Sequence, residues 1–222
     1  MIRRVYEQAA RSDAKAIYVA TDDKRIVREV ESFGGHAVIT GENNPTGTDR
    51  VFDAVRQIGL KANDVVVNVQ GDEPLIPPSA INKVAGLITL NAHMSTLCEV
   101  ILNPQEIFDP NVVKVTIDAG QNAMYFSRAP IPWVRNHFDS KSVPKDVEFY
   151  RHLGIYAYTV EMLQKYVEWD SVPLEELEKL EQLRVLFHGE IIKIAISPEK
   201  IPPGIDIPGD VEPALRALKE SR

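Results

Sequence analysis

An α/β fold with a mostly parallel sheet is the fold class this sequence predicts, and three observations predict it. Short, nearly continuous apolar runs such as Val65-Val66-Val67-Asn68-Val69 suit strands covered on both faces. Segments with apolar residues three and four apart alternate with those runs, as amphipathic helices do. The 222 residues, 44% of them hydrophobic and 26% charged, are enough for one large domain with its own core.

The elements follow in chain order. Ile2, Val5, Tyr6 and Ala9 carry a helical spacing, and Ala16 to Ala20 reads as a buried strand. Thr21-Asp22-Asp23 caps a helix bearing Ile26, Val27, Val30 and Phe33, which Gly34-Gly35 ends. His36 to Thr40 is a second strand. The loop Asn43-Asn44-Pro45-Thr46-Gly47 leads into a helix with Val51, Phe52, Val55 and Ile58. Val65 to Val69 is the third strand, followed by a helix from Ser79 to Leu90. The pattern then changes: Thr96 to Leu102 alternates, and Val112 to Ile117 and Ala123 to Phe126 flank a turn, as antiparallel additions would. Tyr150 to Thr159 reads as a strand and Leu174 to Phe187 as one helix. A strand over Ile191 to Ile196 and a helix after Asp210 complete a single domain, with a smaller excursion around residues 96–160.

Charge and composition exclude several classes. The balance of 25 Lys+Arg against 32 Asp+Glu is −7, without a long basic run, so neither a nucleic acid nor an acidic membrane is an expected partner. Cys98 is the single cysteine, set among apolar residues, and is expected in the core of a protein from a reducing compartment. No run approaches the roughly 20 apolar residues of a membrane span, and the expected location is the cytoplasm. The five histidines lack zinc-like spacing, and no Walker-type loop or G-x-S-x-G elbow is present.

Several clusters could carry chemistry. Gln70-Gly71-Asp72-Glu73-Pro74 lies where a strand meets a loop, the ligand edge of an open α/β sheet. Its carboxylates suit a hard cation, although a solvated turn explains them as well. Asp206 is a second acidic loop residue, by itself more often a helix cap. Arg128 closes an apolar segment with a group suited to carboxylate or phosphate. His152, Gly154 and Tyr156 share one strand face, with a packed core histidine as the plainer reading. Glu181 and Gln182 interrupt a leucine-rich helix, where Glu178 and Arg184 read as solvent-facing charge pairing.

Taken together, Asn68 to Pro74, Tyr125-Phe126-Ser127-Arg128-Ala129-Pro130-Ile131-Pro132-Trp133, Arg151 to Tyr156 and Leu180 to Arg184 resemble the 3-deoxy-manno-octulosonate cytidylyltransferase (CMP-Kdo synthetase) family over nearly the whole chain. The resemblance implies a Rossmann-like nucleotide-diphospho-sugar transferase fold, a homodimer, and CTP and Kdo as substrates. The reaction implied is transfer of CMP to Kdo with release of pyrophosphate, for lipopolysaccharide synthesis. It implies Mg²⁺ on Asp72 and Asp206, Gln70, Thr46, Gly47 and Arg50 on the nucleotide side, and Arg128, His152, Tyr156, Glu181 and Gln182 on the sugar acid. The excursion around residues 96–160 would serve sugar binding and dimerisation. Two departures accompany it. The family opens with a strand and a phosphate-cradling loop that precede the first residues here, so the expectation is an N-terminally incomplete domain with little activity. Ile207 and Gly209 also stand where the family usually has Thr and Glu. A cytidylyltransferase for another acidic sugar, such as sialic acid, and a non-catalytic dimer-forming protein remain the alternative classes.

Overall fold

A computed structural model describes residues 1–138, 144, 146–202, 204–205 and 207–220. Helix α1 (Ile2–Ala9) precedes a parallel pair of strands, β1 (Val19–Thr21) and β2 (Ala37–Ile39), joined through α2 (Lys24–Ser32). Asp23 caps α2 by accepting from the Arg25 amide. Helix α3 (Gly47–Ile58) begins with a capping box between Thr46 and Asp49 and ends at Gly59, whose φ of 77° is the left-handed cap that glycine takes without strain.

The main sheet is built around one long strand. Strand β7 (Tyr150–Thr159) pairs antiparallel with β3 (Val65–Asn68), β4 (Met94–Val100) and β5 (Lys114–Ile117). Beyond β5 lies β6 (Ala123–Ser127), antiparallel, and beyond β4 lies β8 (Ile192–Ile196), parallel. The expected mostly parallel sheet is thus corrected to a mixed sheet of mainly antiparallel pairings, with β1 and β2 as a separate parallel sheet. The physical reason is that a continuous apolar run reports burial on both faces, which an interior strand has whatever its neighbours' direction.

Two apolar layers flank β7. Leu153, Ile155 and Ala157 join Ile76, Ala80, Ile81 and Val84 around α4 (Pro78–Ala85). On the opposite face Tyr158 packs with Val55 of α3, Leu163 and Tyr166 of α5 (Val160–Glu168), and Leu183 and Val185 of α7 (Gln182–Phe187). Helix α5 has no counterpart in the sequence reading. The helix expected over Leu174 to Phe187 is two helices, α6 (Pro173–Glu178) and α7, divided at Lys179, whose φ is 53°. The helix expected from Ser79 to Leu90 stops at Ala85. Cys98 is fully buried, and burial pushes its thiol up to about 12, so it is an inert core residue. Helix α8 (Val211–Glu220) ends the described chain, and no described helix is long and apolar enough to cross a membrane.

Candidate functional site

A cavity of 410 Å³ opens where β3 ends and β7 crosses it. Gln70 and Glu73 line it from the loop after β3, Asn111 from the loop before β5, and Arg151, His152 and Gly154 from β7. A local irregularity shapes this wall. The β4–β7 register jumps between Thr96, opposite Tyr156, and Leu97, opposite Leu153, so Gly154 and Ile155 are taken up in a bulge. A Cβ on Gly154 would meet nothing within 4 Å, so this residue leaves cavity space free.

His152 is fixed by its neighbours. Its Nε2 lies 3.0 Å from Thr96 Oγ1, and its ring stands 5.0 Å from that of Phe126 and 5.2 Å from that of Tyr156. Thr96 Oγ1 also lies 2.8 Å from Ile155 O and 3.1 Å from Leu153 O. A hydroxyl has one proton, which those carbonyls claim, so its lone pair accepts from His152 and Nε2 carries the hydrogen. Enclosure pushes the imidazole down to about 3, which keeps it neutral with Nδ1 as an acceptor. Burial holds the Tyr156 and Tyr158 hydroxyls well above their ordinary range, so both stay protonated.

The other expected residues fall into neighbouring groups. Thr46 and Gly47 form the start of α3, and one residue on, Thr48 Oγ1 donates to Glu181 Oε2 at 3.0 Å. This joins the expected nucleotide segment to the expected sugar segment. Gln182 is buried, and its Nε2 has no partner among the described residues. Arg50 faces the smaller sheet, donating to Asp22 and to Thr40 Oγ1, each at 2.7 Å. Arg128 Nε donates to Glu178 O at 2.6 Å and Nη1 to Pro110 O at 3.0 Å. Gln70 and His152 share the cavity, whereas Thr46, Gly47, Arg50, Arg128, Glu181 and Gln182 do not line it.

Asp72 and the stretch before Asp206 are brought together by the backbone: Ile205 N donates to Asp72 O at 2.9 Å. A Cβ on Gly204 would lie 3.2 Å from Glu73 Oε1 and 3.3 Å from Asp72 O, so the two loops touch. Asp206 itself lies outside the described residues, among which no group of three or more possible metal ligands is found.

Sequence reasoning did not single out Arg151, Asn111, Lys114 or the role of Glu178. Arg151 donates towards Glu99 at 2.6 Å and lies 3.6 Å from Glu106, a charge balance carried by β4 and a distant turn that no local spacing reveals. The solvent-facing pairing of Glu178 with Arg184 is replaced by two separate contacts. Glu178 holds Ser127 and Arg128, and Arg184 makes a buried two-point pair with Glu175 at 2.6 and 2.8 Å.

A family model described as cytidylyltransferase matches residues 1–196. The 3-deoxy-manno-octulosonate cytidylyltransferase of Cellvibrio japonicus (strain Ueda107) is 46% identical over 99% of this chain and 88% of its own length. That of Vibrio cholerae serotype O1 (strain M66-2) is 44% identical over 99% and 88%. A solved structure of CMP:2-keto-3-deoxy-manno-octonic acid synthetase complexed with CTP superposes with a TM-score of 0.90 at 32% identity, covering 100% of this chain and 88% of that one.

Proposed function

The chain belongs to the cytidylyltransferase family, among the 3-deoxy-manno-octulosonate cytidylyltransferases, and from that premise we propose that it transfers CMP from CTP to Kdo with release of pyrophosphate. The observation that carries this reading at the site is the cavity that Gln70, from the strand-end loop, and His152 both line. Gln70 offers an amide to a base edge, and His152 offers an acceptor to a sugar hydroxyl.

In the reaction the anomeric hydroxyl oxygen bonds to the α-phosphorus, its proton leaves, and the bond to the pyrophosphate oxygen breaks. An imidazole held at about 3 is too weak a base to take that proton near neutrality, so His152 orients the sugar instead. Tyr156 adds a hydroxyl donor, and the unpaired N–H of Gln182 suits a sugar oxygen. Arg128 is the group for the sugar carboxylate, with Glu181 for a further hydroxyl. Thr46, Gly47 and Arg50 belong to the nucleotide side in this reading. Rate comes from holding the reacting atoms in line, and no covalent nucleophile is needed.

Mg²⁺ fits the donor set. In this reading Asp72 and Asp206 supply hard carboxylates, and what supports it is the contact of Ile205 N with Asp72 O, which brings residues 204–205 against the loop after β3. When bound there, Mg²⁺ supplies charge neutralisation to triphosphate. A homodimer belongs to the same proposal, supported by Leu102 and Trp133, apolar side chains exposed by 87% and 60% within residues 96–160. The same reading places the protein in the cytoplasm, with a role in lipopolysaccharide synthesis.

Pyrophosphate release by residues 1–222 with CTP, Mg²⁺ and a panel of sugar acids tests the reading. Whatever release occurs is expected to require Kdo. Equal release with sialic acid would move the protein to another sugar, and no release with any acid would favour the non-catalytic class.

A further inference from the structure

Arg128 stands just past the end of β6, and its backbone is gripped from both sides. Its N–H donates to Glu178 Oε2 at 2.8 Å, and its C=O accepts from Lys114 Nζ at 2.6 Å. The second oxygen of Glu178 accepts from the Ser127 hydroxyl at 2.6 Å, so the carboxylate holds two consecutive residues. Lys114 is fully buried, and its other two donors go to Asp109 O at 2.8 Å and Val112 O at 2.5 Å. All three protons of the ammonium are thereby used on backbone carbonyls.

A buried ammonium is costly in a strand that could carry an apolar side chain, and an ordinary core position does not need one. What this one does is fix two segments relative to each other. One is the turn before β5, which walls the cavity at Asn111 and Val112, and the other is the exit of β6. The Arg128 guanidinium then leans on the same two supports, with Nε on Glu178 O and Nη1 on Pro110 O. Among the described residues Nη2 has no partner.

We propose that Lys114 and Glu178 are positioning residues for Arg128, holding its guanidinium in the one pose that leaves Nη2 for the carboxylate of the sugar acid. They set the affinity for the sugar acid without touching it. The inference rests on Arg128 being the carboxylate-binding residue, as read under Proposed function.

Calorimetric titration of the full chain with Kdo and, separately, with CTP tests it in wild type, Arg128→Lys, Glu178→Gln, Lys114→Arg and the double variant Arg128→Lys/Glu178→Gln. Glu178→Gln preserves shape, and Lys114→Arg preserves charge but cannot point three protons at the three carbonyls. Each single variant is expected to weaken Kdo about tenfold and CTP less than about twofold, and the double variant to match Arg128→Lys alone. A purely structural role would lower both affinities together, and that result overturns the proposal. So does an additive double variant, or Kdo affinity unchanged in both Glu178→Gln and Lys114→Arg while Arg128→Lys loses it. Unchanged Kdo affinity in Arg128→Lys removes instead the reading of Arg128 itself, and a wild-type chain that binds no Kdo removes both.

Discussion

His152 carries its neutral charge state far into the acid range, and this gives it a thermodynamic signature. Burial pushes its imidazole down from an ordinary 6.5 to about 3, because the enclosed site disfavours the charged form. Between those values the unfolded chain binds a proton that the folded chain does not. Stability from this residue is therefore complete above pH 6.5 and falls as pH drops towards 3, by up to about 1.4 kcal/mol per pH unit. Urea unfolding at pH 4, 5, 6 and 7 should show a shallower acid slope for His152→Asn than for wild type; parallel slopes would refute the assignment. The alternation of His152, Gly154 and Tyr156 was legible in the sequence, because strand period alone puts such residues on one face. The bulge that accommodates Gly154, and the threonine that sets the tautomer, were not legible, since both depend on the β4 partner. Arg184 was misread for the same reason: its partner Glu175 lies nine positions back, beyond any helical spacing.

Between Pro173 and Phe187 the pattern of leucines is continuous, yet the backbone turns through a left-handed residue at Lys179. What compensates is the buried pair across the break, Glu175 of α6 with Arg184 of α7, whose guanidinium also sits 4.3 Å from the centre of the Tyr166 ring. Glu175→Gln leaves Arg184 buried without a counter-charge and is expected to cost about 3–5 kcal/mol in chemical denaturation. A loss under about 1 kcal/mol would mean that the pair merely accompanies the break. Helix α5 escaped the sequence reading because it follows β7 without glycine or proline, and its start is marked only by the Thr159 side chain accepting from Met162 N and by Glu161 in the first turn. The strands fared better in position than in direction, since residue patterns encode which faces are covered and leave pairing to distant partners. Lys114 shows the limit clearly, for a lysine within an apolar strand reads as surface until its three carbonyls are seen.

Over the whole molecule, chain segments 133 positions apart meet where Ile205 N donates to Asp72 O, next to the carboxylate proposed above for Mg²⁺. Mg²⁺ titration in the presence of CTP should give about tenfold weaker binding for Asp72→Asn than for wild type. Equal binding would show that the loops meet for packing alone. The overall assignment was legible because several motifs occur together in one order, whereas the cavity that brings Gln70 and His152 together required the fold. The position of that strand has a further consequence, for biosynthesis. Strands β3, β4 and β5 are complete by residue 117, but the strand they all pair with starts at Tyr150. At translation rates of about 5–20 residues per second, β3 waits roughly 4–16 s on the ribosome before its partner is even made. For the last part of that interval, roughly 2–7 s between the completion of β5 and the start of β7, the nascent chain presents three strands without their common neighbour, a state that ends only when β7 emerges and organises them together.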